Sequence, residues 1–144
     1  MDISRNSLIM KFKNINGNPS FLKNSKKYLI NWEVDSRSKF QTTVKNFLKA
    51  YWENDKVFEE MRVVGTALSL DFYNYNKKIA VEVQGLQHTQ YVKFFHRNKL
   101  QYLKQLKRDD KKLKFCEVNE IVLIEIYPKD VLNRELFLNF GVEL

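Results

Sequence analysis

Two periods organise the apolar positions of this chain. From residue 36 to about residue 52, Phe40, Val44, Phe47, Leu48 and Tyr51 recur at i, i+4, i+7, i+8 and i+11, the stripe of an amphipathic helix. Ser36 or Ser38 stands where such a helix needs an N-cap. Three runs at 57–64, 67–73 and 78–83 then have the length and β-branched content of strands, with 74–77 as the hairpin turn between the last two. Helical spacing returns from about residue 90 to 117, in one piece or two. Residues 121–126 read as a buried-type strand halted by Pro128, and 131–140 as a closing helix. The order helix–β–β–β–helix–β–helix predicts an α/β fold: a mixed sheet of about four strands flanked by helices.

The first 35 residues differ in texture. Residues 7–12 and 27–32 read as short strands, and Asn16, Gly17, Asn18 and Pro19 form a strong turn signal between them. Residues 1–35 are therefore expected to form a small β-rich N-terminal arm, ahead of a main domain over 36–144.

Composition narrows the functional classes. In 144 residues, 44% apolar and 14% aromatic, there is material for one packed core. A single Cys excludes a disulfide framework and a Cys-based zinc site, and two His exclude a multi-His cage. Four Gly and two Pro leave no Gly-rich phosphate cradle. No apolar run approaches a membrane span and no signal-peptide core opens the chain, so a soluble, cytoplasmic protein is expected. The net charge of +8 is unevenly spread. Residues 89–114 carry nine Lys/Arg and two Asp, whereas 115–144 carry two Lys/Arg and six acids. A basic stripe beside an acidic remainder is the footprint of a nucleic-acid binder, and equally of a solvated helix face.

Two carboxylates stand out in the strands. Alternation sends Ile79, Val81 and Val83 to one face and Ala80, Glu82 and Gln84 to the other, while Asp71 lies between Leu70 and Phe72. Closing the hairpin at 74–77 brings Asp71 near Glu82. Such a pair either faces water at a sheet edge or shares a divalent cation. On the second helix, Leu103, Leu106, Leu113 and Cys116 form an apolar stripe, and Asp109 and Asp110 flank its centre. Asp109 is spaced for an i,i+3 pair with Lys112, or for a role at the sheet. His88, just past the Glu82 strand, is either a surface residue or a proton donor and acceptor above that strand's polar face. His96, among aromatics, reads as a packing residue.

Taken together, Asp71, then Glu82-Val-Gln84-Gly85-Leu-Gln-His88, then Arg108-Asp109-x-x-Lys112-x-x-Phe-Cys116-x-x-Asn119, then the strand at 122–126, resemble the PD-(D/E)xK nuclease superfamily. The branch they are most similar to contains the very-short-patch repair endonucleases and the EDxHD phage homing endonucleases. The resemblance spans about residues 36–127 and departs from the pattern in two places. Gln41 stands where the branch has its first-helix acid, and Ser69-Leu70 replaces the Pro that precedes Asp71. Gln84 sits where many members carry Lys.

The resemblance implies a restriction-endonuclease-like core and a metal-dependent endonuclease hydrolysing phosphodiester bonds of double-stranded DNA, of homing or repair type. Asp71 and Glu82 would hold Mg²⁺ or Mn²⁺, and His88 would move the proton. Gln84 would position water or phosphate, and Asp109 with Lys112 would orient His88 or the phosphate. Arg97, Lys104, Lys107, Arg108 and Lys111 would contact the DNA backbone. A homodimer would extend the small DNA-facing surface. A catalytically impaired DNA-binding module of the same fold is the alternative, supported by the amides at 41 and 84. A third reading is an interaction protein whose basic stripe meets an acidic partner.

Overall fold

The computed structural model describes residues 9–85 and 91–144; for residues 91–102 and 105 it describes the backbone. The elements are β1 (Met10–Lys13), β2 (Pro19–Leu22), α1 (Lys39–Trp52), β3 (Val57–Arg62), β4 (Ser69–Asn74), β5 (Ile79–Val83), α2 (Tyr91–Val118), β6 (Val122–Ile126) and α3 (Arg134–Leu138). Strands β3 to β6 form one sheet in sequence order, antiparallel at β3–β4 and β4–β5 and parallel at β5–β6. The parallel step requires a crossover, which α2 supplies. The architecture is α/β with a mixed four-stranded sheet, as the periodicity predicts.

Each sheet face carries its own core. On one face α1 contributes Val44, Leu48 and Trp52 and α3 contributes Phe137, packed on Val57, Phe72, Ile79, Val81, Ile124 and Ile126. On the other, Phe115 and Cys116 near the end of α2 meet Phe58, Met61, Tyr73 and Ala80. The β1–β2 hairpin joins this second core through Met10, Phe12 and Leu22, with the Phe12 ring 5.3 Å from Phe115 and 6.0 Å from Tyr73. The hairpin's apolar face is thus part of the main core.

Three expectations are corrected by the geometry. First, the partner of β1 is β2 rather than 27–32. Asn14 Oδ1 accepts the N–H groups of Asn16 and Asn18, and Gly17 takes φ +84°, which closes the chain at once onto Pro19. Residues 25–28 form a 3₁₀ turn, and Leu29 makes a single bridge to Phe58 at the β3 edge. Second, the predicted stripe of α1 packs on the core through Phe40, Val44, Phe47 and Leu48, but Tyr51 is exposed, and the buried side also includes Gln41, Lys45 and Trp52. The polar pair turns inward because Glu59 of β3 faces it. Lys45 Nζ lies 2.8 Å from Glu59 Oε1, and Gln41 Nε2 donates to Oε2 at 3.0 Å.

Third, Leu103, Leu106 and Leu113 of α2 are exposed, and only the end of the predicted stripe, at Cys116, is buried. Rotation of the helix explains this. On a wheel of about 100° per residue the three leucines lie roughly 120–180° from Phe115, the residue that packs on the sheet, so they face away from it.

The hairpin's place in the core is testable. Phe12→Ala should lower unfolding free energy by about 3–5 kcal/mol in a urea titration, the cost of emptying a buried aromatic site. A loss below about 1 kcal/mol would make the hairpin an appendage.

Candidate functional site

The β4–β5 ladder stops at Phe72↔Val81. Beyond it the strands are joined by side chains instead of backbone. The Asp71 N–H donates to Glu82 Oε2 at 2.7 Å, and the Val83 N–H donates to Asp71 Oδ2 at 2.7 Å. Each carboxylate therefore satisfies an amide of the opposite strand where the hairpin splays. Across Asp71 on the other side, Glu60 of β3 has left-handed backbone (φ 54°), so Glu59 and Met61 keep their pairing while Glu60 drops out.

Asp71 and Glu82 are both buried, and both are neutralised in part by cations from outside the strands. Lys112 of α2 reaches Glu82 Oε1 at 2.6 Å. Arg37 lies 3.6 Å from Asp71 Oδ1 and 3.3 Å from Glu60 Oε2. The compensation is incomplete. Burial, then repulsion from Asp71, pushes the Glu82 carboxyl up to about 7 against the opposing pull of Lys112. Burial likewise raises Asp71, opposed by the Val83 amide, Lys112 and Arg37.

The sequence brings Asp71 and Glu82 together correctly, and it names Lys112 with a different partner: the ammonium goes across to Glu82. Gln84 is buried beside them, but its Nε2 donates to Glu125 Oε2 of β6 at 3.2 Å and its backbone N–H to Ile126. Glu125 also accepts from the Tyr127 hydroxyl at 3.1 Å. Asp109 is half-buried near this second group, where its charge helps to raise Tyr127, after burial and Glu125. His88 lies outside the described residues, as does the side chain of Arg97. Lys104, Lys107, Arg108 and Lys111 are exposed on α2.

Sequence reasoning did not single out Arg37, Lys45, Glu59, Glu60 or Glu125. The adjacent acids at 59 and 60 within an apolar strand, and Lys45 next to Val44 four residues after Gln41, were the available signals.

A cleft of about 400 Å³ opens where the strands diverge, lined by Arg37, Ser38, Phe40, Gln41, Asp71, Val83, Gly85 and Pro128. It lies at the N-terminal end of α1 and the C-terminal ends of β5 and β6. Asp71 reaches this cleft, while Glu82 is directed toward α2 and Lys112. Among the described residues no group of three or more His, Cys, Asp or Glu is arranged to hold a metal ion. The donor set present is two carboxylates. Hard oxygen ligands suit Mg²⁺, which completes its shell with water and phosphate; the two carboxyls are raised first by burial.

No family model and no solved structure matches the chain. Its similarities are to viral proteins. Uncharacterized protein 033L of Invertebrate iridescent virus 3 is 34% identical over 94 residues, covering 65% of this chain and 47% of that protein. Uncharacterized protein 094L of Frog virus 3 (isolate Goorha) is 41% identical over 85 residues, covering 54% of this chain and 55% of that protein. Uncharacterized protein 307L of Invertebrate iridescent virus 6 is 37% identical over 59 residues, 41% of this chain and 30% of that protein. The chain thus spans about half, or less, of the length of the curated relatives it matches. Among the described residues no helix is long and apolar enough to cross a membrane.

The Glu82 carboxyl sets a pH dependence in metal-free buffer. Its folded value of about 7 exceeds the ordinary 4.5, so between these the folded chain holds a proton that the unfolded chain has lost. Stability is therefore greatest below about pH 4.5 for this group and declines as pH rises through 7, by roughly 3 kcal/mol at most. Asp71 acts in the same direction. With EDTA present, the melting temperature should fall between pH 5 and 8, and Glu82→Gln should flatten that decline. An unchanged slope in the variant would assign the dependence elsewhere.

Proposed function

We propose that the protein is a metal-dependent endodeoxyribonuclease with a restriction-endonuclease-like core, hydrolysing phosphodiester bonds in double-stranded DNA in a homing- or repair-type role. The observation that carries this reading is the Asp71–Glu82 pair at the splayed end of β4 and β5, with Lys112 on Glu82. Asp71 and Glu82 would hold Mg²⁺ or Mn²⁺, which when bound polarises the scissile phosphate and makes a nucleophile of water. Lys112 fixes the Glu82 carboxylate and offsets part of its charge. His88 remains the residue proposed to accept or return the proton. Both carboxyls are buried and repel each other, so a divalent cation bound there would relieve the pair.

The course of α2 supports DNA as substrate. The helix runs back along the sheet, and the residues before Lys112 make up roughly 30 Å of it, at 1.5 Å per residue. On a wheel of about 100° per residue, Lys104, Arg108 and Lys111 lie within about 40° of Phe115, the residue packed on the sheet. The basic face thus overhangs the same end of the sheet as the carboxylates. Lys104, Lys107, Arg108 and Lys111, with Arg97 farther out, would contact DNA backbone.

A second reading, a binding module of the same fold without cleavage, is favoured by one contact. At 2.6 Å from Glu82, Lys112 already supplies part of the charge a cation would bring.

Plasmid nicking with Mg²⁺ or Mn²⁺ decides between the two. Asp71→Asn should lower cleavage by orders of magnitude, as the charge holding the cation is lost. Its amide oxygen can still accept from Val83, so metal-free melting should hold or rise, and DNA binding should persist. A wild-type chain that binds DNA and never cuts it, in either metal, leaves the binding module.

Phosphate contacts predict a salt signature. Replacing Lys104, Lys107 and Lys111 by Ala should weaken binding to all sequences alike and flatten the logarithmic salt slope by about 2–3 units. A change in sequence preference at constant slope would place α2 in a groove instead.

A further inference from the structure

Arg37 is bound where the proposed cation would act. Asp71 Oδ2 is committed to the Val83 amide, which leaves Oδ1 as the oxygen turned toward the cleft, and Arg37 Nη2 stands 3.6 Å from it. The guanidinium spans from there to Glu60, whose Oε2 is 3.3 Å from Nε. Among the described residues these two carboxylates are its ionic partners, and both contacts are longer than a well-formed charge-assisted hydrogen bond. The Arg37 side chain is 67% exposed against 7% for Asp71, so the pair is screened on the arginine side and loosely held.

We propose that Arg37 is an exchangeable counter-ion, which neutralises Asp71 in the metal-free protein and, once a divalent cation takes Asp71 Oδ1, swings to hold a DNA phosphate at the mouth of the cleft. The inference rests on the metal-dependent nuclease reading above. Its physical basis is that a divalent cation drawn to Asp71 Oδ1 repels the loosely held guanidinium already near that oxygen. Displacement leaves a planar fork of donors at the rim of a cleft whose volume, about 400 Å³, is in the range of small-ligand sites. Gly85 also lines the cleft, and among the described residues a Cβ there would meet nothing within 4 Å. A phosphate entering there meets Arg37 beside the cation-bearing carboxylate. Arg37 is in this account a positioning residue, silent toward DNA until the cation is present.

The test uses the full chain and a short phosphorothioate duplex that resists cleavage. Fluorescence anisotropy is read across a salt series, once with EDTA and once with Mn²⁺. Arg37→Gln should reduce the logarithmic salt slope by about one unit in Mn²⁺ and leave it unchanged in EDTA. By calorimetry without DNA, the same variant should bind Mn²⁺ several-fold more tightly, since the competing guanidinium is gone. Its melting temperature should stay within a few degrees of wild type, as expected of an exposed side chain. Equal slope losses with and without Mn²⁺ would make Arg37 an ordinary surface contact and overturn the exchange. So would unchanged Mn²⁺ affinity, or no slope loss in either buffer. Cleavage is not part of the readout, so a chain that shows the exchange and cuts nothing overturns the nuclease reading alone. A chain that cuts plasmid with Mg²⁺ but shows no cation-dependent slope loss overturns the exchange alone.

Discussion

Two carboxylates close the open end of the β4–β5 hairpin, and the surrounding elements are arranged around the difficulty of keeping them there. Asp71 and Glu82 each take an amide of the opposite strand at 2.7 Å, so the splay between the strands leaves no orphaned backbone donor at that point. Burying two like charges is unfavourable unless opposite charge is delivered from elsewhere. One cation comes from α2 and one from the segment before α1, from opposite faces of the sheet. The position of α2 over the sheet, with Phe115 in the core one turn after Lys112, is what allows its lysine to reach.

A second buried charge follows a different logic. Lys45 is almost fully covered and is held by Glu59 and by the Val34 carbonyl at 2.7 Å, while Ser36 and Gln41 complete the shell of Glu59. Lys45 is 3% exposed and Glu59 15%, so this group is largely enclosed and fixes how α1 sits on β3. The Asp71 group, by contrast, opens on a cleft and is incompletely balanced. The two clusters share the turn of chain at 36–38, which anchors one through Ser36 and reaches the other through Arg37.

The sequence was most informative where a single period governed. The strands of the sheet, the hairpin at 74–77 and the two longer helices follow directly from local alternation and turn chemistry. The misread parts were set by tertiary context. The Asn14 loop decided that 19–22, not 27–32, pairs with β1. Glu59 drew Gln41 and Lys45 inward beside the predicted stripe, and Tyr51 at its end was left in solvent. Phe115 decided which side of α2 meets the sheet, and the three leucines, on the other side of the helix, remain in solvent. At the candidate site the carboxylate pair was legible because a hairpin fixes cross-strand neighbours. Arg37 and Glu60 were not, since their approach depends on a left-handed residue and on a long-range contact that no spacing encodes.

The reciprocal amide bonds also constrain how this chain can drift. Asp71 and Glu82 answer to two demands, the strand amides and any bound cation, and only the second needs a charge. If the charge at these positions were not needed, an acceptor oxygen at both would still be. Substitution should then run first to Asn and Gln, which preserve the oxygen, while Lys112, left without a charge to answer, becomes free to vary. In relatives of this chain, amides at 71 and 82 together with loss of the lysine would mark a pair kept for its strand amides alone.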